Sequence, residues 1–146
     1  MEQNTIILKL KDPLLNYKGK PFKNVSALGL SQQQIMQTPE AELLRVAPDD
    51  KIGDQIALYL VGIIQPKNPE DAARLSRWAA KINNKMITEK GELELDEKDI
   101  KELLSIFTSG TIPVKNSNTL GAIIIYLEQK QIELVQKTRS PDIKNS

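Results

Sequence analysis

The side chains available for chemistry are carboxylates, lysines, arginines and hydroxyls, because the 146 residues include no His and no Cys. That excludes a disulfide framework, a thiolate nucleophile, a Cys or His zinc site and every mechanism that needs an imidazole. Ser26, Ser31, Ser76, Ser105 and Ser109 have no histidine to take their protons. The acids are concentrated: Glu89 to Glu102 holds seven carboxylates against three lysines, with Glu92, Glu94 and Asp96 alternating along an extended piece. Such a row could gather around a divalent cation, but the ligand order and mid-loop glycine of an EF-hand are absent. Asp96 and Asp99 have the spacing of a helix cap instead. No phosphate-binding loop and no glycine-rich turn between strand and helix occurs. The expectation is a chain that is not an enzyme, with no catalytic residues, no cofactor and no metal.

The cations fall into two groups. Arg74, Arg77, Lys81 and Lys85 are spaced by three, four and four residues, which makes a basic ridge along one helix face. Lys9, Lys11, Lys18, Lys20 and Lys23 form a second cluster near the N-terminus. A ridge of this kind can follow a phosphate backbone, so nucleic-acid binding through Arg74, Arg77, Lys81 and Lys85 is one reading. Against it stand the acidic block, few aromatic residues for stacking, and Glu70 four residues before Arg74, placed to pair with it. The charge balance is +1 from 20 Lys and Arg against 19 Asp and Glu, which is not that of a general nucleic-acid coat.

Patches of opposite sign suit a protein partner better, because they orient it without demanding catalysis. The candidate protein-binding residues are Lys18 and Lys20 on one side, Glu92 and Glu94 on another, and the apolar Leu28, Leu30, Ile35 and Met36 between them. Those four either cover the core or donate a contact surface, and core cover is the favoured role. Ile125, Tyr126 and Ile132 lie outside the main apolar stripe of their helix; they either form a homodimer interface or cover a broad core.

These residues must be positioned by elements that the pattern reveals in part. TIILKLK, residues 5–11, alternates Ile6, Leu8 and Leu10 with Lys9 and Lys11 and predicts a half-exposed strand. A turn at Lys18 and Gly19 then leads to a return strand over 21–25, with Pro21 at an edge. Ser31 is placed to cap a short helix with Gln34 in the capping-box position, and Glu40 to Val46 adds another turn or two. Ile52, Ile56, Leu60 and Ile63 define a central helix, widened by Ala57, Val61 and Ile64, with Gly53 and Gly62 marking close approaches. Asn68 caps the next helix, Pro69 opens it, and Ala72, Leu75, Trp78, Ala79, Ile82 and Met86 point inward, with Trp78 as a core anchor. GELEL over 91–95 reads as a short strand or extended link. Asp96 starts a helix burying Ile100, Leu103, Leu104 and Phe107, and a last helix from Ser117 or Asn118 buries Leu120, Ile123, Ile124, Leu127, Gln131 and Leu134.

The expected fold is α+β: a small N-terminal β-hairpin packed on a mainly helical single domain over 1–137, followed by a flexible C-terminal tail over 138–146. The longest apolar runs, 56–64 and 121–127, fall far short of the roughly 20 residues of a membrane span, so no membrane partner is expected. The N-terminal apolar run is interrupted by Lys9 and Lys11, unlike a secretory signal, and a cytoplasmic location is expected.

Four segments taken together, GKPF, RLSRWAAKI, GELELDEKDIKELL and TLGAIIIYLE, resemble small uncharacterised accessory proteins of tailed bacteriophages and prophages. The resemblance covers Ile6 to about Glu128 and carries no catalytic signature. It implies a noncatalytic accessory role in the host cytoplasm, binding and modulating a host or phage protein. A nucleic-acid-associated regulator and a structural or assembly subunit of a phage are the alternatives.

Overall fold

The computed structural model describes the backbone of residues 4–109 and 117–144, and the side chains of 4–109 and 118–137. It is a mostly helical domain with one two-stranded antiparallel sheet. Strand β1 (Thr5–Lys9) pairs with β2 (Glu92–Asp96) in the register Thr5↔Asp96 to Lys9↔Glu92. Both strands alternate, so Leu8 and Leu10 from the first piece and Leu93 and Leu95 from the second all turn to the same buried side.

The expected N-terminal hairpin is therefore corrected. The turn forms, and Leu15 bridges Pro21 across it, but the returning chain never reaches β1. It pairs with the segment before the central helix instead: Lys23 bridges Asp49, and Asp50 N–H donates to Phe22 C=O at 2.8 Å. The physical reason is burial, because pairing β1 with β2 puts four leucines in the core, which pairing with residues 21–25 would not.

Two short helices, α1 (Gln32–Gln37) and α2 (Glu40–Val46), follow a 3₁₀ turn at Val25–Leu28. Together they make an arm closed at its base, where Asn24 N–H donates to Pro48 C=O at 2.8 Å and Lys23 Nζ meets Asp49 Oδ1 at 2.6 Å. The arm buries Leu43 and Ala47, neither of which joins the main core.

Helix α3 (Ile52–Leu58) runs into a π-helical turn at Tyr59–Ile63, and the wider turn is closed by Ile64 N–H donating to Tyr59 C=O at 2.8 Å. The sequence pattern counts Val61 with the residues that widen the buried face. Val61 is 62% exposed while Tyr59, Leu60 and Ile64 are buried. Gly53 is a true close approach: a Cβ there would lie 2.8 Å from Leu10 Cβ and would also strike the Met86 sulfur. Gly62 is not, since the nearest atom belongs to Leu58 of the preceding turn.

Helix α4 (Pro69–Met86) starts as its sequence requires, with the Asn68 side chain accepting from Asp71 N–H at 2.8 Å. Leu75, Trp78 and Ile82 are buried on its inner face. Trp78 is a core anchor with a polar handle, its Nε1–H donating to Glu102 Oε2 at 2.6 Å. Helix α5 (Glu97–Phe107) follows β2 directly through the reciprocal Asp96 and Asp99 capping box and buries Ile100, Leu103, Ile106 and Phe107. Helix α6 (Ser117–Lys144) closes the core with Ile123, Leu127 and Leu134. Its backbone continues past residue 137, where the sequence pattern sets the start of a tail. Among the described residues no helix is long and apolar enough to cross a membrane.

Gly53 and Gly121 predict opposite outcomes. Gly53→Ala should lower stability in urea unfolding by about 1–3 kcal/mol through overpacking. Gly121→Ala, where a Cβ meets nothing within 4 Å, should raise it by about 0.5–1 kcal/mol.

Candidate functional site

A cleft of about 1050 Å³ opens between the turn after β1 and the N-terminal half of α6. The turn is built by Asn16. Its side-chain oxygen accepts from Lys18 N–H at 2.9 Å and from Lys20 N–H at 3.1 Å, while its own N–H donates to Lys20 C=O at 2.7 Å. Gly19 completes the reversal at φ +77°, a left-handed conformation that a Cβ would strain. One side chain thus sets the whole loop, and Tyr17 at its tip is 83% exposed.

Across the cleft, Gly121 and Ala122 keep that stretch of α6 low, and Ile125 stands up from it at 53% exposure. Leu15, 48% exposed, faces the same space from the turn, and Leu14 and Ile52 belong to its buried floor. Tyr126 joins floor to sheet, its hydroxyl accepting from Lys9 N–H at 3.2 Å. Lys130 Nζ sits 5.6 Å from the Tyr126 ring centre and 3.2 Å from Glu133 Oε2. Burial pushes the Tyr126 phenol up to about 12, so it stays protonated at neutral pH. The cleft walls offer apolar surface, amides and a few charges at the rim, which is the equipment of a binding groove.

Of the residues singled out from sequence, Lys18 and Lys20 lie at the exposed tip of this turn, with Lys18 Nζ 5.6 Å from the Tyr17 ring centre. Glu92 and Glu94 are on the solvent face of the sheet, where Glu94 Oε1 accepts from Thr5 Oγ1 at 2.8 Å. Leu28, Leu30 and Ile35 are half-buried in the arm, and Met36 is 80% exposed there. These three groups stand on three separate elements. Ile125 and Ile132 are both exposed on α6, but Tyr126 packs against the core.

The basic ridge is half occupied within the fold. Arg74 pairs with Asp71 at 2.7 Å, in place of the expected Glu70, because Asp71 is held in reach by Lys67 N–H at 3.0 Å. Those same two partners, Lys67 N–H first and Arg74 second, hold the Asp71 carboxyl below its ordinary value. Lys81 Nζ lies 4.8 Å over the Trp78 ring, while Arg77 and Lys85 are exposed. Among the described residues no three carboxylates are grouped to hold a metal ion.

Leu15, Asn16 and Tyr17 are functional candidates that the sequence reading passed over. The signal was present in NYKG, residues 16–19, since Asn opening a turn with Gly three positions later is a turn with a mechanism. Comparison with known proteins finds no matching family model, no matching curated protein and no matching solved structure.

Tyr126 gives the site a pH signature. Its folded value lies above the ordinary 10, so the folded state holds the proton more tightly than the unfolded chain. The associated stability is complete below pH 10 and is lost as pH rises towards 12. Melting temperature should fall across that window, and Tyr126→Phe should flatten the fall.

Proposed function

We propose that this domain is a noncatalytic protein-binding module whose cleft between the Asn16 turn and α6 takes an apolar segment of its partner. The observation that carries the reading is the convergence of Leu15, Tyr17 and Ile125, all well exposed, on one preformed groove. A single exposed apolar side chain is ordinary, but several gathered in a concavity mark a contact surface. Tyr17 is an efficient anchor, because it offers a large amphipathic area for two rotatable bonds. Lys18 and Lys20 beside it fit a segment that carries acidic residues next to its apolar anchors. In the light of the phage resemblance, the partner is read as a host or phage protein.

Tagged protein and a Tyr17→Ala/Ile125→Ser variant should be taken through affinity capture from the natural host's lysate, with nuclease at two salt concentrations. The wild type should retain one stoichiometric protein after nuclease and salt, and the variant should lose it with an unchanged melting temperature. Affinity measured on the purified pair should drop about tenfold or more, the scale of an aromatic anchor. Equal capture by both forms would remove the cleft from the function.

Arg77→Ala/Lys85→Ala should leave that capture intact. If the ridge instead served nucleic acid, the same pair would reduce both the affinity for duplex DNA and its salt dependence, by about two phosphate contacts.

A further inference from the structure

The two edges of the sheet are finished differently. In an antiparallel pair, successive residues alternate between turning their N–H and C=O groups to the partner strand and away from it. Leu10 N–H donates to Gly91 C=O at 2.9 Å, while Lys9 N–H, one residue earlier, donates outward to the Tyr126 hydroxyl. The register then puts the main-chain groups of Thr5, Ile7 and Lys9 on the outer side of β1, and those of Glu92, Glu94 and Asp96 on the outer side of β2. On β1, helix α6 covers that side: Tyr126 meets Lys9, and Lys137 Nζ donates to Thr5 C=O at 3.0 Å. On β2, among the described residues, only Asp96 is engaged, its N–H donating to the Asp99 carboxylate at 3.3 Å as α5 begins. Among the described residues nothing hydrogen-bonds to the N–H or C=O of Glu92 or Glu94. Unpaired main-chain groups persist only where water reaches them, so among the described residues this edge is open.

We propose that the outer edge of β2 docks an extended basic segment of another protein, which adds as a third strand through Glu92 and Glu94. An antiparallel strand there gains about four ladder hydrogen bonds, two with each of these residues. Leu93 and Leu95 are buried beneath the sheet, so the Glu92 and Glu94 side chains share its solvent face. They are about 6.8 Å apart along the strand, and the incoming residues opposite them are two positions apart. The fitting segment therefore reads basic, apolar, basic. On its β1 side this acidic row already has Lys9 across from Glu92 and Thr5 bonded to Glu94; on the outer side it faces no cation from the ladder. A second copy of the chain does not fit, because β2 against β2 would set these carboxylates against their own kind, and like charges directly opposite destabilise a ladder. The acids thus close the edge to self-association while selecting a basic strand. This surface shares no residue with the cleft, and its test is independent of that reading.

The full-length protein, labelled with ¹⁵N, is titrated with acetyl-Val-Lys-Val-Lys-Val-amide and, separately, with the peptide carrying glutamate in place of lysine. The expected result is saturable shift changes centred on residues 92–96 with the lysine peptide only, and amide exchange at Glu92 and Glu94 slowed about fivefold or more. Glu92→Gln/Glu94→Gln, which keeps an acceptor for Thr5 and both main-chain edges, should fold normally and bind about tenfold more weakly. Methylating the peptide nitrogens that face β2 should abolish binding by removing the ladder donors. Equal binding of the glutamate peptide, shifts centred on Tyr17 and Ile125, or no saturation would each overturn the proposal.

Discussion

The pairing of β1 with β2 is the constraint on which the other elements depend. Thr5 and Glu94 share a hydrogen bond although they are 89 positions apart, and the two strands, with Leu10 just after β1, contribute Leu8, Leu10, Leu93 and Leu95 to one buried face. Each such leucine stabilises by about 2 kcal/mol when fully removed from water, which outweighs the slowly growing entropy cost of closing so long a loop. Once the ladder is formed, α6 is held against β1, α5 leaves directly from β2, and Leu10 is pressed onto Gly53 of α3.

Anchoring the chain in this way leaves two parts outside the main core. The Asn16 turn projects beside α6, its conformation held by one side chain that accepts two main-chain donors. The arm over residues 24–48 is tied at its base by the Lys23 and Asp49 pair and two main-chain bonds, and its Leu43 and Ala47 are buried apart from the main core. Function read from exposed apolar groups follows this division: Leu15, Tyr17 and Ile125 are held in shape by rigid neighbours, whereas Met36 belongs to a segment with a smaller core of its own. A groove formed in advance costs a partner less ordering on binding, which is why the turn and not the arm carries the proposed role.

Local chemistry was readable where a residue acts on its near neighbours. Ser31 with Gln34, Asn68 with Pro69, and Asp96 with Asp99 are all settled within three or four residues, and each cap forms as the pattern requires. Trp78 was legible as a core anchor from its helical spacing, but its Glu102 acceptor and Lys81 cover come from 24 positions away and from the next turn. Arg74 shows the limit at short range: Glu70 and Asp71 are both within reach in sequence, and the choice fell to Asp71 because Lys67 N–H fixes its carboxylate. The π turn at Tyr59–Ile63 was not legible, since an apolar run with one glycine has the same pattern in either helical form.

What the residues alone determined is β1, the helices with the caps at Ser31, Asn68 and Asp96, the inward faces of α4 and α5, and the chemistry that is excluded by having no His and no Cys. These are properties of composition and of contacts across a few residues, where 3.6 or 2 residue periodicity is decisive. Only the tertiary structure decided which strand pairs with which, where Leu15, Tyr17 and Ile125 converge, which cations of the ridge are already engaged and which sheet edge is open. Each of those depends on segments tens of residues apart competing for the same buried surface, and that competition is resolved by the packing of the whole chain.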